Sequence, residues 1–205
     1  WTDYYDAEFA ARAGDNLRSL GLHESALEAY GASLQASPRF TKSRASTVRT
    51  LYDLGRDREA LQAAVDLFAR YSDTVKPAER VEALLGKALA LLRTADTRGA
   101  QDALTEVVKL DPANAEALNA LGAVYAVTGA LKEGGAQFVA AIKANQYATD
   151  AWLNLAGLAL GAGKVAEAEM LYAAAAQRDP GSAEATLGLA MVQIAKGVPK
   201  DALVT

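Results

Sequence analysis

The sequence predicts an all-α fold of stacked helical hairpins, and three observations carry that prediction. A dipeptide recurs: Asp111-Pro112 and Asp179-Pro180 stand 68 residues apart, with Asn145-Gln146 midway, so the interval is twice 34. The same period links small residues (Ala100, Gly134, Ala168, Ala202) and bulkier ones (Leu104, Phe138, Tyr172), followed by Val107, Ala141 and Ala175. Within each period the apolar residues fall at helical spacing, as in Leu118, Leu121, Val124 and Tyr125. A glycine divides the period into two helices at Gly21, Gly55, Gly129, Gly163 and Gly197, where a positive φ ends the first helix. Asp-Pro ends the second helix, because a residue before proline avoids the helical region.

Taken in order, the blocks are 7–40, 41–74, 81–114, 115–148, 149–182 and a partial 183–205, with about six extra residues, 75–80, lengthening one junction. The block 149–182 is the most regular: Trp152, Leu155, Ala156, Ala168, Tyr172, Ala175 and Pro180 mark it. The block 115–148 has Leu118, Leu121, Gly122, Tyr125, Phe138 and Ala141. The block 81–114 keeps Ala88, Ala100, Leu104 and Pro112, with Lys87 at a normally apolar place. The first keeps Gly14, Ala26, Tyr30 and Pro38, and the second Val48, Leu51, Gly55, Ala60 and Leu67. The last begins with Leu189, Ala190, Gly197 and Ala202. These residues resemble the tetratricopeptide (TPR) repeat over nearly the whole chain. The resemblance implies a single right-handed α-solenoid across 1–205. One hairpin cannot bury its own apolar face, so neighbours must stack.

The chain has 205 residues, 51% of them hydrophobic, with a formal charge of -4. The mild acidity does not favour nucleic acid as the main partner. Without cysteine, disulfides, thiol nucleophiles and cysteine-based metal sites are excluded. No stretch is apolar for the roughly 18 residues that a membrane span needs. The first residue is Trp1 rather than Met, so a trimmed or mature form is expected, with any leader or lipid anchor upstream of it.

In the TPR family, ligands are held on a concave face by the second, fifth, sixth, ninth, twelfth and thirteenth places of the repeat. On this chain those places separate two zones. The first two blocks supply Glu8, Arg12, Asp15, Arg18, Lys42, Arg49 and Tyr52, a charged surface. Between Glu28 and Asp53 stand no acids, while Arg39, Lys42, Arg44 and Arg49 are basic. That run reads either as a patch for an acidic or phosphorylated segment or as a solvated helix face. The later blocks supply Leu85, Leu89, Leu92, Asn119, Ala123, Ala126, Leu153, Asn154, Gly157, Leu160, Leu187, Met191 and Ile194. These are expected to form an apolar groove for an amphipathic helix or extended peptide, with Asn119 and Asn154 bonding its backbone. The alternative is that curvature, a capping helix or a second protomer covers them. The carboxylate clamp of chaperone-binding family members needs Lys and Asn in the first repeat and Lys and Arg in the third. Ala11, Asp15, Glu82 and Gly86 stand there instead, so the clamp is not expected.

No catalytic, metal or cofactor constellation emerges. His23 is the single histidine and lies between two predicted helices; Ser25 is near it, but no orienting acid accompanies them. No cluster has metal-ligand spacing. Glu167 and Glu169 face different ways on one helix, and Gly129–Gly135 lacks the Lys-Ser/Thr ending of a phosphate loop. Trp1, Tyr4 and Tyr5 are read as stapling the end of the first hairpin.

The expected function is therefore a non-catalytic scaffold that binds a peptide or helix of a protein partner, as monomer or homodimer. The phrases Ala117–Gly122 and Asn154–Gly163 also resemble those of tight-adherence (Flp) pilus assembly lipoproteins. That resemblance implies a pilotin escorting a secretin, in the periplasm or at the outer membrane; otherwise a cytoplasmic place is expected. The alternative function is the TPR region of a larger transferase or peptidase whose catalytic domain lies outside this sequence.

Overall fold

The computed structural model describes residues 2–197. They form eleven helices in two compact units, and among the described residues there is no strand. Unit 1 runs up to Pro112 and holds α1 (Thr2–Ser19), α2 (His23–Ala36), α3 (Thr41–Asp53), α4 (Asp57–Tyr71), α5 (Pro77–Arg93) and α6 (Thr97–Leu110). Unit 2 runs from Ala113 and holds α7 (Ala115–Val127), α8 (Leu131–Ala144), α9 (Thr149–Gly161), α10 (Val165–Arg178) and α11 (Ala183–Gly197). Trp1 and Ala202, singled out by the pattern, lie outside the described residues.

Each helix packs on its sequence neighbour within its unit, and first helices also meet across hairpins, as α3 with α5 and α9 with α11. That is the stacking the repeat requires. Helices α3, α7, α9 and α11 begin where the 34-residue blocks begin.

The turns inside the hairpins explain the boundaries. Gly21, Gly55, Gly129 and Gly163 have φ of 76, 77, 86 and 73°. In the third hairpin the same place is taken by Ala95, at φ 63°. A side chain in the left-handed region costs roughly 1–2 kcal/mol, so this turn is held by its flanks: Ala95 N–H donates to Leu92 O and Asp96 N–H to Leu91 O. The extra residues 75–80 become the short connection Val75-Lys76 and the first turn of α5. Pro77 fits that turn because it has no N–H to satisfy. Glu79 fastens it, accepting from Lys76 N–H at 3.0 Å and from the Thr41 hydroxyl at 2.7 Å. Asp111 and Asp179 follow α6 and α10 outside the helical region (φ -134 and -132°), as residues before proline prefer. Pro112 and Pro180 sit in the connections rather than in the next helix.

Small residues set how closely helices approach. A Cβ at Gly122 would stand 2.6 Å from the Phe138 ring, and one at Gly188 would stand 2.2 Å from the Tyr172 ring. Thus an aromatic of the second helix sits where a side chain on the first helix would have to be. Ala45, Val48, Ala64, Leu67 and Ala83 make a core cluster in unit 1; Ala156, Ala159, Ala168, Tyr172 and Val192 make one in unit 2. At the start of the chain Tyr4 packs edge-on against Phe40, 5.8 Å between centroids, although both Tyr4 and Tyr5 remain exposed.

Candidate functional site

The strongest candidate is a cavity of about 420 Å³ in unit 2, lined by Asn119, Asp150, Leu153, Asn154, Tyr172, Glu184, Leu187, Gly188 and Met191. Three first helices and one second helix supply it. From α7 comes Asn119; from α9 Asp150, Leu153 and Asn154; from α10 Tyr172; from α11 Glu184, Leu187, Gly188 and Met191. The repeat explains the convergence: Asn119, Leu153 and Leu187 occupy one place of successive blocks, and Asp150 and Glu184 another.

The floor and the rim differ in chemistry. The Asn154 amide nitrogen donates to Asn119 Oδ1 at 2.9 Å, tying α9 to α7. This leaves Asn154 Oδ1, its second N–H and the Asn119 amide nitrogen for a ligand. Tyr172 is only 8% exposed, and burial raises its pKa. Its hydroxyl reaches toward Gly157, where an added Cβ would lie 3.8 Å away, and it bonds to no other described residue. Leu187 and Met191 stand out at 62% and 48% exposure. Asp150 and Glu184 are exposed, and neither has an ion-pair partner among the described residues.

Of the groove residues expected from the sequence, Asn119, Leu153, Asn154, Leu187 and Met191 therefore line one cavity. Ala123 and Ala126 are half-buried, and Ile194 is exposed at 68%. Leu160 is half-buried and packs against the Tyr172 cluster, so it belongs to the packing. In unit 1, Leu85 is 5% exposed and presents no surface; Leu89 and Leu92 are half-buried. Asp150, Glu184 and Tyr172 line the same cavity and are not among the groove residues expected from the sequence. Their signal is the repeat itself, because Asp150 and Glu184 occupy the second place, one of the family's ligand places.

The basic run of unit 1 is largely occupied by its own protein. The Lys42 ammonium lies 2.9 Å from Asp15 and 4.0 Å from Glu8. Burial opposes its charge, but these acids raise its pKa overall. Arg44 donates to Pro38 O at 2.6 Å and lies over the Tyr71 ring. Arg49 is 3.2 Å from Asp53 and stacks over Tyr52. Arg39 is exposed. The acids that answer Lys42 come from α1, which a local window of sequence does not reveal. Next to them, Arg18 meets Glu82 at 2.9 Å and the Ser46 hydroxyl donates to Glu82 at 3.1 Å. Burial raises the Glu82 pKa against the pull of Arg18. Tyr30, buried and donating to Asp15 at 2.9 Å, is pushed up to about 12.

His23 opens α2 half-buried. Its Nδ1 is buried without a hydrogen-bond partner, and no acid orients the ring. Among the described residues no group of His, Asp and Glu is placed to hold a metal, and no helix is long and apolar enough to cross a membrane.

Two family models, both of the tetratricopeptide repeat, match residues 85–148 and 159–205, together more than half of the chain. The chain is a tetratricopeptide repeat protein. A thermophilic TPR protein of Thermus thermophilus has a similar structure, with TM-score 0.69 and 23% identity, covering 92% of this chain and 99% of that one. YrrB, described as a TPR protein with an unusual peptide-binding site, is similar at TM-score 0.63 and 17% identity, covering 87% of this TPR chain and 89% of YrrB. At these identities the likeness concerns the fold. A probable UDP-N-acetylglucosamine–peptide N-acetylglucosaminyltransferase, SPINDLY of Hordeum vulgare, is 40% identical over 78 residues, which are 38% of this chain and 8% of that protein. The TPR chain spans less than a tenth of the length of that curated relative.

Proposed function

We propose that this TPR protein is a non-catalytic scaffold that holds a segment of a partner protein in the unit 2 cavity. The observation that carries the reading is the exposure of Leu187 and Met191 beside polar groups whose bonding is incomplete. Exposed apolar side chains rimmed by polar ones mark interaction sites. YrrB, whose description names a peptide-binding site, is similar in fold and lends analogy. The basic run of unit 1 is a poor second seat, because its charges are answered internally.

A random-peptide display library selected on the wild-type chain tests this. Enriched peptides are expected to lose at least about tenfold in affinity on the Leu187→Glu/Met191→Glu variant. Peptides that bind wild type and variant equally would sink the assignment to this cavity.

The second reading, a TPR region of a larger transferase, draws support from the SPINDLY match. Reading the full-length gene decides it: a long α/β segment downstream favours the transferase. The pilus reading rests on two short phrases, and none of the relatives described above is a pilus assembly protein.

A further inference from the structure

We infer that the cavity selects a partner segment whose apolar side chains flank a lysine or arginine, with the cationic head seated among Asp150, Glu184 and Tyr172. The inference rests on the scaffold reading and supplies the chemistry of its ligand.

The lining contains two carboxylates and no basic residue. An acid near the start of a helix has a structural explanation, since it complements the helix dipole. That explanation covers Asp150 of α9, Glu184 of α11 and Glu116 of α7 equally. It does not explain why two of them converge on one cavity while Glu116 stands outside its lining. The second observation is Tyr172, a lining residue more than nine-tenths buried, whose hydroxyl bonds to no other described residue. That oxygen is not sealed from solvent, so a ligand atom would take the place of water on a group that the packed ring already holds still.

The acceptors at the site are in excess. The two carboxylates and Asn154 Oδ1 accept, the Tyr172 hydroxyl accepts or donates, and the free amide donors are those of Asn119 and the second N–H of Asn154. A head group made only of donors and carrying positive charge answers the two carboxylates, which an acidic one does not. Leu153, Leu187 and Met191 then cover the aliphatic stem and the neighbouring apolar side chains.

Three labelled amphipathic helical peptides of about 18 residues, alike in their leucines and differing in Lys, Gln or Glu at the polar places, test the inference by anisotropy. The Lys peptide is expected to bind about tenfold tighter than the Gln peptide, and the Glu peptide weakest. Asp150→Asn with Glu184→Gln should erase that preference, so that the Lys peptide binds no tighter than the Gln peptide. Glu133→Gln, which removes an acid outside the cavity, should preserve the preference and so separate it from attraction to net charge. Tyr172→Phe keeps the ring packed and should weaken the Lys peptide about threefold, with the melting temperature unchanged. Equal binding of Lys and Gln peptides, or tightest binding of the Glu peptide, overturns the cationic seat while the scaffold reading stands. Failure of all three peptides overturns both. A homodimer that Met191→Glu dissociates would assign the rim to a second copy and overturn the inference.

Discussion

The first helices of unit 1 and unit 2 use the same places of the same repeat, yet they present different chemistry. In unit 1, Asp15, Lys42, Arg18 and Glu82 are paired with one another or with Tyr30 and Ser46, so the charges hold helices together. In unit 2, Asp150 and Glu184 have no ion-pair partner among the described residues and stand beside exposed Leu187 and Met191, while the Asn119–Asn154 amide pair joins α7 to α9. The difference teaches that a charge read from sequence marks a binding face only when neighbouring helices leave it unanswered. Unit 1 has more charge and less to offer a ligand.

The largest expected effect separates packing from site in unit 2. Phe138→Ala removes a ring that is 1% exposed and should cost about 3–5 kcal/mol, seen as an early transition in urea unfolding. Unit 1 should be untouched. In unit 1 the matching perturbation is polar. Glu82→Ala strips Arg18 and Ser46 of their acceptor and should cost about 1–3 kcal/mol.

The pH dependence at Glu82 has a definite sign. Its folded pKa lies above the unfolded value of about 4.3, because burial disfavours the carboxylate. Its contribution is fully present below the unfolded pKa and is lost as pH rises through the folded pKa. The stability of wild type relative to Glu82→Gln should therefore fall as pH rises above the ordinary carboxylate range. A difference that grows with pH would show that the Arg18 pairing outweighs burial.

Smaller effects compare equivalent turns. Gly129→Ala in unit 2 should destabilise by about 1 kcal/mol. Ala95→Gly in unit 1 should stabilise by roughly 0.5 kcal/mol, after the entropy of glycine is subtracted. Opposite signs at one repeat place, measured by thermal melts, are the check. The smallest effect is expected at the rim: Leu187→Glu should shift stability by less than about 0.5 kcal/mol, whereas Leu160→Glu, next to the Tyr172 cluster, should cost more.

The fold was legible because its cause is periodic: Asp-Pro, the small residues and the aromatics each report the same interval. The turn at Ala95 was not, since nothing local distinguishes that alanine from a helical one. Ala95 stands one period before Gly129, but the added residues 75–80 put it 40 residues after Gly55 instead of 34. The lining of the candidate cavity was half legible. Asn119, Leu153, Asn154, Leu187 and Met191 followed from repeat places, but Leu85 and Leu160 occupy such places and face packing instead. Lys42 and Arg49 looked unopposed because Asp15 is distant in sequence and Asp53 ends the window.

Gly188 serves two purposes at once. Its bare backbone receives the Tyr172 ring, and the same residue forms part of the cavity wall. Any side chain introduced there would fill the recess and pry apart two helices in the same stroke. Depth at this spot is thus locked to the integrity of the stack, and variation in what the recess accepts has open ground only around its edge, at positions such as 150, 184, 187 and 191. Relatives diverging in ligand preference would be expected to differ at those edges while keeping glycine opposite the ring.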